Sequence, residues 1–129
     1  DMYEVLAGVD AYITDYSSAI FEAGYAHIPA FIYADDIQKY AVDRGELMWN
    51  LAVDSLDCVG NNKAVTPAYD LALPFSVATD NDELAHDILG FDETGYAAVQ
   101  EKFGQQIGLV FDGKGSERIA DWLEKQMRN

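Results

Sequence analysis

The run Ala11-Tyr12-Ile13-Thr14-Asp15-Tyr16-Ser17-Ser18-Ala19-Ile20-Phe21-Glu22-Ala23 constrains the fold of this chain more than any other segment. An apolar stretch stops at a small polar cluster and a helix-compatible stretch begins at once, which spells strand, tight loop, helix. Ser17 or Ser18 then stands at the helix N-terminus, where a side-chain oxygen satisfies an orphan backbone N–H and the remaining N–H groups attract an anion. Two readings fit the local sequence: Asp15, Ser17 and Ser18 only cap the helix, or they also seat a phosphate. Pro29 resets the chain, and Ala30–Tyr33 forms a second short apolar strand. Two strands joined by a helix make a parallel βαβ unit of the α/β class, in which ligands lie beyond the strand C-termini. Asp15 and Asp35 both fall on that edge.

The flanking pattern extends this unit. Met2 to Ala7 reads as a helix stopped by Gly8, Ala11 to Thr14 as a buried strand, Ser18 to Ala26 as a helix and Asp36 to Tyr40 as a helical turn. Gly45 to Ala72 has no sustained period and carries Gly60-Asn61-Asn62 and Thr66-Pro67, so it reads as a loop. Thr79-Asp80-Asn81-Asp82 starts a helix with Leu84, Ala85, Ile88 and Leu89 on its apolar side, ended by Gly90. Tyr96, Val99 and Phe103 repeat at helical spacing, as do Ile119, Trp122, Leu123 and Met127, and both stripes read as core faces. Two strands alone make a sheet too small to bury itself, so an edge must self-associate or residues of Gly45–Ala78 must supply further strands; self-association is the expectation.

Charge and composition exclude several functions. With 23 acidic and 8 basic residues the net charge is −15, a field that repels nucleic acid and anionic lipid headgroups. The 129 residues, half of them hydrophobic, suffice for one packed core, and no run approaches the roughly 18 to 20 apolar residues of a membrane-spanning helix. The lone Cys58 has neither a disulfide partner nor zinc-ligand spacing, and no Gly-x-Ser-x-Gly elbow, Cys-His set or EF-hand pattern occurs. No metal or other cofactor is therefore assigned. His27 and His86 are the only side chains with an unperturbed pKa suited to proton transfer near neutrality. His27 lies at the far end of the first βαβ helix from Ser17, and His86 sits among acids on another helix, so no catalytic residue is assigned.

Among the few cations, Arg44 follows the second strand and adjoins Gly45, so it can grip a phosphate bidentately or pair with Asp35, Asp36 or Asp43. Ser116 and Arg118 follow the Gly113–Gly115 turn and open the last helix, a second place for an anion or an ordinary cap.

Taken in order, Ile13-Thr14-Asp15-Tyr16-Ser17-Ser18, Pro29 to Asp36, Tyr40, Arg44-Gly45, Leu73-Pro74-Phe75 and Asp112-Gly113-Lys114-Gly115-Ser116-Glu117-Arg118 resemble the C-terminal part of the CDP-glycerol glycerophosphotransferase family. These enzymes build teichoic-acid-type poly(glycerol phosphate) in bacteria, and the resemblance covers roughly residues 5 to 125. It implies a two-lobed transferase of GT-B architecture, with residues 1–129 a C-terminal fragment of its Rossmann-like nucleotide-binding lobe and an insertion at 50–70. It also implies a CDP-glycerol donor, a poly(glycerol phosphate) acceptor, the N-terminal lobe of the same protein as partner, and a cytoplasmic location at the inner face of the membrane. The family's catalytic histidines lie upstream, so the fragment alone is expected to be inactive. By the same resemblance Ser17 and Ser18 receive the diphosphate, Arg44, Ser116 and Arg118 attend its charge, and Asp15 holds the loop. Glu22-Ala23, Gly115 and the insertion depart from the family pattern. A nucleotide-sugar glycosyltransferase of the same architecture, distinguished by preferring UDP to CDP, and a non-catalytic interaction domain that binds neither, are the alternatives.

Overall fold

A computed structural model of the chain describes residues 1–44, 49–50 and 69–128, with the backbone alone for Arg44, Asn50, Tyr69 and Asp70. Helix α1 spans Met2–Leu6, capped by the Asp1 carboxylate, and strand β1 spans Tyr12–Thr14. Helix α2 (Ala19–Tyr25) leads to strand β2 (Ala30–Tyr33) and helix α3 (Ile37–Arg44). Strands β3 (Trp49–Asn50), β4 (Tyr69–Ala72) and β5 (Ser76–Ala78) follow, then helices α4 (Asn81–Leu89), α5 (Glu93–Gln106) and α6 (Gly115–Met127). The architecture is α/β: a parallel three-stranded sheet in the order β1-β2-β5, flanked by helices.

The central strand explains where the core sits. Ala30, Phe31 and Ile32 are each buried on both faces of the sheet, as a short apolar run in a parallel sheet requires. Register pairs Ile13 with Phe31 and Thr14 with Ile32 on one side, and Ile32 with Val77 on the other. Ile20 and Ala23 of α2, Ile37 and Ala41 of α3, and Phe75 close over this strand. Gly24 permits the close packing of α2: a Cβ there would stand 3.0 Å from the Phe75 ring and 3.0 Å from the Gln100 amide oxygen. Buried Gln100 in turn donates from Nε2 to the Pro74 carbonyl at 3.2 Å, and the Tyr96 hydroxyl donates to the Ile28 carbonyl at 3.0 Å, tying α5 to both ends of the core. Burial pushes the Tyr96 phenol up to about 12, which keeps that donor protonated.

Several expectations are corrected. β1 is not the buried strand expected: among the described residues it is an edge strand, and Ile13 at its centre is exposed. The turn expected at Asp36–Tyr40 extends into a full helix, since Ile37 and Ala41 lie one turn apart and both enter the core. The stretch from Gly45 to Ala72 is not wholly loop: Trp49–Asn50 pairs in parallel with Tyr69–Ala72, and Trp49 packs on Phe21 and Phe103 at ring distances of 5.9 and 5.8 Å. Residues 51–68, and with them most of the inferred insertion and Cys58, lie outside the described residues.

The later helices also differ from their patterns. α4 starts where Asp80 caps it and Glu83 accepts from Thr79, but none of its residues is fully buried, and Ile88 and Leu89 are exposed. On α5 the buried stripe includes Gln100 and Phe103, while Val99 is exposed. The stripe of α6 is not core: Ile119, Trp122, Leu123 and Met127 are all exposed, because no described element covers them.

The third strand comes from Ser76–Ala78, so residues of Gly45–Ala78 do supply further strands, the alternative to the self-association expected from the sequence. Among the described residues the sheet still has two open edges, and α6 presents an apolar face, so self-association stands as an expected property of the isolated chain. The net charge of −15 opposes it, and salt screens that repulsion. Sedimentation of the chain at low and high ionic strength should show a larger species at high salt; identical monomeric sedimentation at both would contradict this.

Candidate functional site

β1 ends at Thr14, and the chain turns through Asp15, Tyr16, Ser17 and Ser18 before α2 begins, so the loop lies at the C-terminal edge of the parallel sheet. Asp35 follows β2 at the same edge, two residues beyond Tyr33, and both aspartates are exposed. Ser18 is the N-cap residue but its hydroxyl makes no capping hydrogen bond. Ser17 Oγ instead accepts from the Ala19 N–H at 3.3 Å, and the Ser17 and Ser18 carbonyls take the first helical N–H groups. Among the described residues, the Ser17 and Ser18 N–H groups have no acceptor.

The two serines line a cleft of about 270 Å³ together with Asp15, Tyr16, Phe21, Ile32, Tyr40, Trp49 and Leu73 among others. Its lip is polar and its walls are aromatic and aliphatic, the lining a bound small molecule with one charged end would need. Tyr16 is held there in two ways. Its hydroxyl donates to Asp36 Oδ1 at 2.8 Å and its ring stacks on Tyr40 with centroids 3.6 Å apart and planes 17° from parallel. Burial first, then the hydrogen bond to Asp36 and the nearby carboxylate charges, raise the Tyr16 pKa well above the ordinary phenol value. Asp15 is exposed and accepts only a long contact, 3.5 Å, from Thr14 Oγ1, so the tie that holds this loop is Tyr16.

The other sequence-derived residues fall in two places. Arg44 is the last residue of α3, the helix that carries Tyr40 against the loop; its side chain lies outside what is described. Ser116 and Arg118 stand in the first turn of α6, and Asp112 of the preceding turn pairs with Arg118. Asp112 Oδ1 accepts from the Lys114 N–H at 2.9 Å, and Arg118 Nη1 lies 2.6 Å from both carboxylate oxygens. That pairing holds the Asp112 carboxyl below its usual range, chiefly through the Arg118 hydrogen bond. Arg118 is thus paired with one of the protein's own carboxylates.

The histidines have structural settings. His27 has φ 57 and occupies the left-handed position after α2. Its N–H donates to Gly24 O and the Ile28 N–H donates to Ala23 O at 3.0 Å each, the paired bonds of a Schellman cap. His86 is exposed in the last turn of α4, where a cation suits the helix dipole.

Sequence reasoning missed Tyr16 and Asp36 as partners. Twenty residues separate them, and no periodicity links the end of one strand to the loop after the next; the one available signal was a large aromatic placed inside a small polar loop.

The family model for CDP-glycerol:poly(glycerophosphate) glycerophosphotransferase matches residues 1–125 of this chain. The chain belongs to that family. Within the glycerophosphotransferase family it is 29% identical, over 95% of its length, to a teichoic acid ribitol-phosphate primase of Bacillus spizizenii, covering 26% of that protein. It is 27% identical over 99% of its length to a teichoic acid poly(glycerol phosphate) polymerase of Staphylococcus epidermidis, covering 16% of it. A teichoic acid glycerol-phosphate transferase of Staphylococcus aureus is 28% identical over 90% of the chain and is covered to 26%. The chain thus spans about a quarter or less of these curated relatives. No solved structure matches it.

Proposed function

We propose that this chain is the donor-binding part of a teichoic acid glycerophosphotransferase, forming a C-terminal portion of a Rossmann-like lobe in a two-lobed GT-B enzyme. One observation carries the reading: the Asp15–Ser18 loop of a family member stands at the C-terminal edge of a parallel sheet with two N–H groups lacking acceptors beside a cleft. A CDP-glycerol donor lays its diphosphate against Ser17 and Ser18, with Arg44 neutralising charge as the nucleotide leaves. An aligned donor in a dry site is worth about 3 kcal/mol to a developing anion. Ser116 and Arg118 are a further substrate contact, and Arg118 must exchange Asp112 for phosphate to serve it. The acceptor is a poly(glycerol phosphate) or related polymer, and the missing lobe belongs to the same protein. Among the described residues no helix is long and apolar enough to cross a membrane, and in this reading the whole enzyme works from the cytoplasmic side, peripheral to the membrane.

Ser17→Pro removes one anion-facing N–H and Arg44→Ala deletes a charged contact. In the intact transferase each is expected to weaken CDP-glycerol binding by about tenfold, since a hydrogen bond to a charged group is worth ~1.5–3 kcal/mol. Calorimetric titration measures it, with circular dichroism to verify the Ser17→Pro fold. Unchanged affinity in both variants would reduce these residues to structural roles.

A further inference from the structure

The Asp15–Ser18 loop has little of its own to hold it. It hangs from an edge strand, and its internal contacts are long, 3.5 Å from Thr14 to Asp15 and 3.3 Å from Ala19 to Ser17. The short contacts all belong to Tyr16, and both are made to one rigid body. Asp36 immediately precedes α3 and Tyr40 lies in its first turn; the Tyr40 N–H donates to the Asp36 carbonyl at 2.9 Å, which puts the two side chains on one face. That helix is anchored by Ile37 and Ala41, exposed to only 2% and 1%. Two directions are thereby fixed at once: the 2.8 Å hydrogen bond sets where the Tyr16 hydroxyl lies, and the stack on Tyr40 sets the plane of its ring. The residue after Tyr16 is Ser17, which lines the cleft with Ser18.

Resting on the donor-binding reading above, we propose that Tyr16 is a positioning residue, clamped by Asp36 and Tyr40, that fixes the Ser17–Ser18 N–H groups for the donor diphosphate. It touches the protein rather than the reacting atoms. Its contribution is preorganisation: a loop held in place before binding loses less freedom when the anion arrives. A donor group held loosely binds ground state and transition state alike less well, so the loss falls on KM.

A double-mutant cycle on the intact transferase, with CDP-glycerol as donor, tests the clamp. Tyr16→Phe keeps the ring on Tyr40 and removes only the hydroxyl, and thermal unfolding verifies that the fold survives. Asp36→Ala removes the acceptor together with a negative charge, and the cycle cancels the effect of that charge. Tyr16→Phe is expected to raise KM for CDP-glycerol about fivefold in the wild-type background, a loss within the range of one hydrogen bond, with a smaller change in kcat. In the Asp36→Ala background the same substitution is expected to change KM less than twofold. An equal rise in both backgrounds, or no rise in either while Ser17→Pro still weakens binding, would overturn the clamp and leave the donor site standing. If Ser17→Pro is also without effect, the donor-binding reading falls and the clamp with it.

Discussion

Phe75→Ala is expected to lower the unfolding free energy by about 3–5 kcal/mol, the range for deleting a buried phenyl ring that its surroundings cannot refill. Phe75 is 8% exposed and stands where three elements meet. Its ring lies edge-on to Phe21 at 5.8 Å and 6.5 Å from Tyr96, and it forms one side of the contact that Gly24 makes possible. The neighbours cannot collapse into the space easily, because Gln100 is held by its hydrogen bond to Pro74 and Tyr96 by its bond to Ile28. Domains of this size are stable by about 5–15 kcal/mol, so the loss is a large fraction of the total and, at the low end of that range, leaves the variant partly unfolded at room temperature. Urea unfolding followed by circular dichroism measures the difference. A loss below about 1 kcal/mol would mean that the Phe21–Phe75–Tyr96 contact is not the keystone between α2 and α5.

The purified chain of 129 residues is expected to show no glycerol phosphate transfer from CDP-glycerol above background. It corresponds to 26% or less of its curated relatives, and its two histidines serve other settings, one inside a helix cap and one at an exposed helix end. Loss of general acid–base assistance alone costs about 10²–10⁴ in rate, and loss of the surface that aligns the acceptor costs more. Labelled donor incubated with polymer acceptor and the isolated chain provides the assay. Turnover there would show that the chain holds its own proton-transfer group and would contradict the proposed need for a second lobe.

The parts of this molecule that were legible in its sequence are those whose information is local. The strand–loop–helix at Tyr12 to Tyr25 and the strand after Pro29 were set by apolar runs bounded by small polar residues, and the helix start at Asp80 by a side chain that accepts from the next turn. What escaped was non-local. Ser76–Ala78 is three residues long, too short to show a period, and it is a strand only because Ile32 offers a partner. α6 has the strongest amphipathic pattern of the chain, yet amphipathicity states that a face wants cover without saying whether the same piece of chain supplies it. At the site, the Ser17–Ser18 loop was visible as a motif, whereas its support by Asp36 and Tyr40 depends on where α3 packs, which no spacing within the loop encodes. Arg118 was read as a cation awaiting an anion, and Asp112, six residues earlier across a glycine turn, already answers it.

The central claim is that the Asp15–Ser18 loop receives the diphosphate of a cytidine donor. Titration of the intact protein, labelled with ¹⁵N-serine, against CDP-glycerol and against UDP tests it most directly. The account predicts saturable shifts of the Ser17 and Ser18 amide resonances with CDP-glycerol at concentrations where UDP moves them little. Serine amides that stay unmoved by CDP-glycerol while the nucleotide binds elsewhere, or that respond equally to both nucleotides, would contradict it.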